Sequence, residues 1–299
     1  MSKSILFIGG SNVDYLATSE NELIPHSSNI GHLEISFGGV MRNVVENVAR
    51  LGAKCVFISA IGDDLFGKEI LSYMKKLKVE MYCPKTCLPT SAYLAINNAN
   101  HDMDVAINDM RVINEVTPSY LATLKPIIST HDFIVIDSNL SKETLKYLFD
   151  TYKDKKFIVE GISATKIMKF APYLNQIHLL KCNINEARAI SKIVDGDAPS
   201  IIKSILLKGT KIVIISQGKD DIYYGYEDVI DHLPTIKNIE ISGNTTGCGD
   251  ALFAGIVDHY LNGYSLKASI EFGETLSALT LKSIKANSEE VSNLKYKHK

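Results

Sequence analysis

Ile5-Leu-Phe-Ile8, closed by Gly9-Gly10, is a short run apolar at every position. Such a run reads as a strand buried on both faces, as in the middle of a parallel sheet. Val56-Phe-Ile-Ser59, Phe133-Ile-Val-Ile136, Phe157-Ile-Val159, Ile177 to Leu180 and Ile212-Val-Ile-Ile215 repeat the pattern. Between these runs lie Met41 to Leu51, Phe66 to Lys78, Lys142 to Tyr152, Asn185 to Val194 and Ala198 to Lys208, where apolar residues recur at helical spacing. Strand then helix, repeated, predicts a doubly wound α/β sheet.

Two segments break the rhythm. Tyr15 to Phe37 has no place in the alternation, and around Ser91 to Met110 two apolar runs flank a polar turn at Asn97 to Asp102, which reads as a hairpin. Both are inserted between sheet elements, so segments of about 15–37 and 91–112 are expected to pair into a small β lid over the mouth of one domain spanning 1–299. The polar tail from Ser288 to Lys299 is expected to fray.

The chain has 299 residues, 45% of them hydrophobic and 22% charged, enough for a sizeable core. A net charge of −2 argues against a nucleic-acid backbone as partner. Cys55, Cys83, Cys87, Cys182 and Cys248 are scattered without zinc spacing and are expected to be free, mostly buried thiols. With no signal-like leader and no run long enough to cross a membrane, the expected setting is the cytoplasm.

The chemistry is concentrated in Gly243-Asn-Thr-Thr-Gly-Cys-Gly-Asp-Ala251, a glycine-rich turn that runs into a helix expected to be amphipathic. Glycines let a backbone approach a ligand closely, and unpaired amides at a helix start attract an anion. Asp250 cannot itself bind that anion, so it reads as a base acting on a hydroxyl that attacks phosphorus, against the structural alternative of a first-turn acid. Asn12 and Asp14, after the first strand, suit adjacent sugar hydroxyls or an ordinary Asx turn. Gly38-Gly39 can touch a sugar ring, with Asn43 pointing back at it, while Arg42 is given no catalytic role. Asn183 and Glu186 open a helix either as phosphate and water-bridged magnesium contacts or as a capping box. Ser216 and Gly218 follow another strand and are candidates for nucleotide phosphates.

Gly38-Gly39 with Asn43, Asn183-x-x-Glu186 and Asn-Thr-Thr-Gly-Cys-Gly-Asp250, in this order over nearly the whole chain, resemble the ribokinase-like PfkB carbohydrate and nucleoside kinases. The resemblance implies a Rossmann-like, mostly parallel sheet with a β lid, ATP and Mg2+ as cofactors, and phosphorylation of a primary sugar hydroxyl. It makes Asp250 the catalytic base, Gly247, Cys248 and Gly249 the anion hole, and Asn183, Ser216, Thr246, Gly218, Gly247 and Gly249 the ATP contacts. Within the family, Gly38 to Asn47, Val105 to Met110 and Leu174 to Asn183 are similar to pseudouridine kinases, which implies the 5'-hydroxyl of that nucleoside as acceptor, against the alternatives of a kinase for ribose, adenosine or inosine and of a nucleoside-binding protein without turnover. Asn108, Asp109 and Lys166 are then candidates for contacts to the base. The sequence departs from the pattern at Asn244, which leaves a monovalent-cation site open, at Cys248, and at Glu160-Gly161, to which no role is given. The expected partners are a small nucleoside, ATP and a second copy of the chain forming a homodimer through the lid.

Overall fold

The computed structural model describes residues 4–100, 102–237, 246–283 and 285–294. Gly243, Asn244 and Thr245, the start of the glycine turn, lie outside the described residues. Along the chain come β1 (Ile5–Ile8), β2 (Asn12–Ser19), β3 (Gly31–Gly38), α1 (Val40–Arg50), β4 (Cys55–Ile58), α2 (Leu65–Lys76), β5 (Glu80–Tyr82), β6 (Ala92–Asn97) and β7 (Met103–Asp109). Then follow α3 (Pro118–Thr123), α4 (Lys125–Ser129), β8 (Phe133–Asp137), α5 (Lys142–Thr151), β9 (Lys156–Glu160), α6 (Ala164–Ile167), β10 (Ile177–Asn183), α7 (Ile184–Ser191) and α8 (Ala198–Leu207). β11 (Ile212–Gln217), β12 (Asp220–Tyr226), β13 (Val229–Leu233), α9 (Cys248–Leu261) and α10 (Leu266–Leu281) complete the elements that matter here.

The nine-stranded sheet has the order β13-β12-β11-β10-β9-β8-β1-β4-β5. Pairing is parallel except at the β11-β12-β13 edge. Side chains alternate across a strand, so Leu6 and Ile8 enter one core with α5, α7 and α8, while Ile5 and Phe7 enter the other with α1, α2 and α9. That double burial is why these strands carry no polar alternation. β1 is flanked by β4 and β8, and the chain order reverses across it, which opens a crevice beyond the carboxyl ends of the strands.

The smaller sheet, β3-β2-β6-β7, is the lid. It begins earlier than the sequence indicates, because Asn12 and Asp14 already pair with Gly38 and Ser36. They therefore belong to a strand and not to an Asx turn. Two further expectations are corrected. α9 is not amphipathic: Ala251 to Asp258 are all buried, since the helix lies between the sheet, α1 and α10, and a Cβ at Gly255 would come within 2.6 Å of the Gly273 Cα. The tail does not fray from Ser288 onwards, because a 3₁₀ segment, Glu289–Leu294, buries Val291 against the core. Residues 295–299 lie outside the described residues. All five cysteines are free thiols, but only Cys55 and Cys182 are buried.

Candidate functional site

α9 starts on Gly247, whose φ of 83° is left-handed and whose Cβ, if present, would lie 2.1 Å from the Ala286 carbonyl oxygen. No other residue fits that corner without moving the backbone. The turn aims the start of α9, whose first amides have no carbonyl one turn back, at the crevice. Cys248, Gly249 and Asp250 form its first turn. Asp250 Oδ2 accepts a hydrogen bond of 2.7 Å from Asn43 Nδ2 on α1. Burial pushes the Asp250 carboxyl above its ordinary value, opposed by the Asn43 hydrogen bond and by the charges of Lys181 and Arg42.

On one side of Asp250 stands the lid. Asn12 Nδ2 donates to Asp14 Oδ1 at 2.5 Å, and burial raises the Asp14 carboxyl to about 6 against that hydrogen bond and the charge of Arg42. A Cβ at Gly38 would come within 2.1 Å of Asp14 Oδ2, so the carboxylate occupies room that only glycine leaves; Gly39 has a φ of 98°. Asp14 is in register with Tyr93, and Tyr93 with Asn108, so these side chains share one lid face. Asp109 does not join them. It is in register with Ala92 and Val13 on the opposite face, and Arg111 Nη2 binds its carboxylate at 2.7 Å. The expectation that Asp109 contacts the base is thus corrected by strand parity. Lys166 Nζ donates to Asn139 Oδ1 at 2.8 Å, and Asn139 packs against Gly10 in the crevice, 2.6 Å from where a Cβ there would be. Lys166 therefore reaches this side through Asn139, a residue the sequence did not single out.

On the other side lies a cavity of about 810 Å³. Its lining includes the polar Lys181, Asn183, Glu186, Ser216, Gly218 and the Cys248–Asp250 turn, and the apolar Ile222, Leu252, Ala278 and Leu281. Ser277 lines it too. Thr246 is exposed and is not among the lining residues. Asn183 and Glu186 form the capping box: Glu186 N donates to Asn183 Oδ1 (3.0 Å), while Asn183 N donates to Glu186 Oε2 (2.9 Å). The structural alternative is therefore realised, and Glu186 still lines the cavity. Among the described residues no three His, Cys, Asp or Glu side chains converge on a metal-sized site. Asn244, on which a monovalent-cation site hinges, lies outside the described residues.

Two residues given no role carry the electrostatics. Lys181 Nζ, at the end of β10, donates to Glu160 Oε1 at 2.6 Å and to the Gly249 carbonyl at 3.3 Å. Burial alone would lower its pKa, but Glu160 beside it makes the net change upward, so the ammonium stays charged behind the turn of α9. A strand lysine gave no sequence signal, because one cationic residue in an apolar run also suits an edge. Glycines, a helix start, a buried ammonium and a cavity with both polar and apolar lining fit a nucleoside triphosphate.

The whole arrangement is that of a phosphotransferase with an alcohol acceptor. Residues 2–292 match the model of the pfkB family carbohydrate kinases, and the chain belongs to that family of sugar and nucleoside kinases. The pseudouridine kinase of Escherichia coli K12 is 32% identical over 96% of this chain and 93% of its own length. Among solved structures, a carbohydrate kinase from Agrobacterium tumefaciens superposes with a TM-score of 0.83 at 25% identity, covering 97% of this chain and 96% of its own. The ribokinase of Thermotoga maritima shares the fold with a TM-score of 0.81 at 20% identity, over 97% of this chain and 98% of its own. Kinases of this family take their phosphoryl group from ATP, generally with Mg2+.

Proposed function

We propose that this chain is a pseudouridine kinase, which transfers a phosphoryl group from ATP to the 5'-hydroxyl of pseudouridine. The observation that carries the reading is the position of Asp250, hydrogen-bonded to Asn43 and lining the cavity that opens beside the start of α9. The 32% identity to a pseudouridine kinase supports the choice of nucleoside.

Asn12, Asp14, Gly38, Gly39 and Asn43 hold the ribose. Asp14 accepts from its hydroxyls, and Asp250 receives the proton of the attacking 5'-hydroxyl. ATP, with Mg2+ offsetting its charge, supplies the phosphoryl group. The Gly247–Gly249 amides and the ammonium of Lys181 stabilise negative charge at the transfer point, while Asn183, Ser216 and Gly218 border the phosphates, Thr246 stands just before the turn, and Glu186 reaches a metal ion only through water. Asn108, on the Asp14 face of the lid, and Lys166, through Asn139, contact the nucleobase, whose free ring N–H distinguishes pseudouridine from uridine.

The outer face of the lid supports a homodimer. Leu33 (60% exposed), Ile35 (49%), Val105 (50%) and Ile107 (64%) share the face opposite Asp14, and among the described residues they stay largely uncovered. A second copy presenting the same patch buries both. Free thiols and a need for ATP fit a cytoplasmic setting.

The test is incubation with ATP, Mg2+ and a panel of pseudouridine, uridine, adenosine, inosine and ribose, followed by mass spectrometry. Pseudouridine monophosphate as the main product is expected. Preferential phosphorylation of another member moves the substrate, and no phosphorylated product from any of them overturns the kinase reading.

A further inference from the structure

The bulkiest of the fully buried side chains is a charged one, Arg42, only 2% exposed. A guanidinium removed from water needs its donors met, and where they go is informative. Nη1 donates to Glu46 Oε2 at 2.6 Å, Nε to the Gly38 carbonyl at 2.9 Å, and Nη2 both to the Phe37 carbonyl at 2.8 Å and to Asn43 Oδ1. Only the Glu46 bond is a pair one turn apart along the helix, and it too is buried. The two carbonyls end β3, where the lid joins the core.

Asn43 has two unlike ends. Its Oδ1 is claimed by Arg42 and, at 3.3 Å, by Asn287 Nδ2, which leaves Nδ2 to face Asp250. Turned over, the amide would set an oxygen against the carboxylate and an NH2 group against a guanidinium. Glu46 is anchored in its turn by Arg50, Tyr73 and Asn287. Resting on the reading of Asp250 as base, we infer that Arg42 is a positioning residue that fixes the Asn43 amide so that it holds the Asp250 carboxylate, and that couples this orientation to the root of the lid.

The groups around Asp250 give the inference a sign. Asn43 and Arg42 face it from α1, Lys181 from β10, Glu160 from β9, Asp14 from the lid and Asp137 from β8. Burial raises its pKa, Asn43, Lys181 and Arg42 lower it, and the carboxylates raise it. Arg42→Gln removes a cation and releases the amide, so the Asp250 pKa must rise. Glu46→Gln removes the counter-charge of Arg42, so it must fall.

The experiment reads that pKa without substrate. The difference in thermal stability between a protein and the same protein carrying Asp250→Asn, followed across pH, inflects at the folded pKa of Asp250. In the Arg42→Gln background the inflection is expected roughly half a unit or more higher than in the parent, and in the Glu46→Gln background lower. In an Asn43→Leu background the Arg42 step should shrink by more than half. Turnover of Arg42→Gln, assayed with pseudouridine, ATP and Mg2+, should fall roughly tenfold or more, with the acid limb of kcat/KM moving up alongside. Should Arg42→Gln fail to fold, the Glu46→Gln shift decides alone. Unmoved inflections overturn the role of Arg42, and an undiminished Arg42 step in the Asn43→Leu background overturns the route through Asn43. Moved inflections together with an Asp250→Asn protein that turns over at the parental rate overturn the base instead.

Discussion

Asp14 is the residue at which binding and stability pull apart. Its carboxyl is raised from 3.8 to about 6 because folding takes it out of water at the root of the lid, with only the Asn12 amide and the charge of Arg42 in compensation. The folded chain thus binds this proton more tightly than the unfolded chain does. Ionised Asp14 destabilises the fold above pH 6, and the penalty disappears as pH falls through 6 towards 4. A difference of roughly two units at about 1.4 kcal/mol each sets an upper bound of about 3 kcal/mol. Asp14→Asn keeps the shape and cannot ionise. In calorimetry without ligand it should melt above the parent at pH 7.5, by up to about 6 °C for a chain of this length, and the gap should shrink to roughly a third of that at pH 4.5. Glu46, whose carboxyl is held at about 2 by Arg42 and Tyr73 against its burial, contributes stability that is lost only as pH falls below about 4.5, outside this window. The same substitution should raise the nucleoside KM roughly 10- to 100-fold, the value of a hydrogen bond to a charged acceptor. A variant that melts at or below the parent at pH 7.5, or a gap indifferent to pH, would refute the burial argument.

Asp250→Asn should cut turnover by roughly two to four orders of magnitude, with nucleoside affinity by calorimetry changed by less than about threefold; a parental rate would remove the base. On the outer lid face, Ile107→Asp should convert dimers to monomers in sedimentation velocity, since it places a charge amid Leu33, Ile35 and Val105. A monomeric parent would refute pairing through the lid. Asn108→Ala should narrow the preference for pseudouridine over uridine roughly tenfold or more, read as a kcat/KM ratio, and an unchanged ratio would free Asn108 of the base contact.

What could be read from the sequence follows from what periodicity records. Strands buried on both faces announce themselves as short apolar runs, so β1, β4, β8, β9, β10 and β11 were legible, and so were α1, α2, α5, α7 and α8 from their apolar stripes. The β12-β13 hairpin was not: β12 is the polar and tyrosine-rich run Asp220–Tyr226, and β13, the edge strand with a single neighbour, exposes four of its five residues. α9 was misjudged in kind, because a helix covered on every side shows no stripe. At the site, glycines whose missing Cβ leaves room for a neighbour, such as Gly38 and Gly247, stand out locally. The face that Asp109 takes depends on the register of β7, which no local pattern shows, since adjacent strand residues face opposite ways.

Arg42, Lys181 and Asn287 show the deeper limit. Each is a polar residue whose partners lie on other elements: Arg42 reaches the end of β3, Lys181 reaches Glu160 and Gly249, and Asn287 reaches Asn43 across 244 positions of chain. A local pattern can show that a carboxylate follows a glycine turn, but not which charges surround it, and it is these that determine whether it ionises. In this protein the crevice beside β1 brings the lid root, α1 and the start of α9 together, so one of the residues that tune Asp250, Arg42, also holds the end of β3 to the core. A substitution at that junction should therefore change the proton affinity of the site and the placement of the lid in one step, which is the physical content of assigning Arg42 to both.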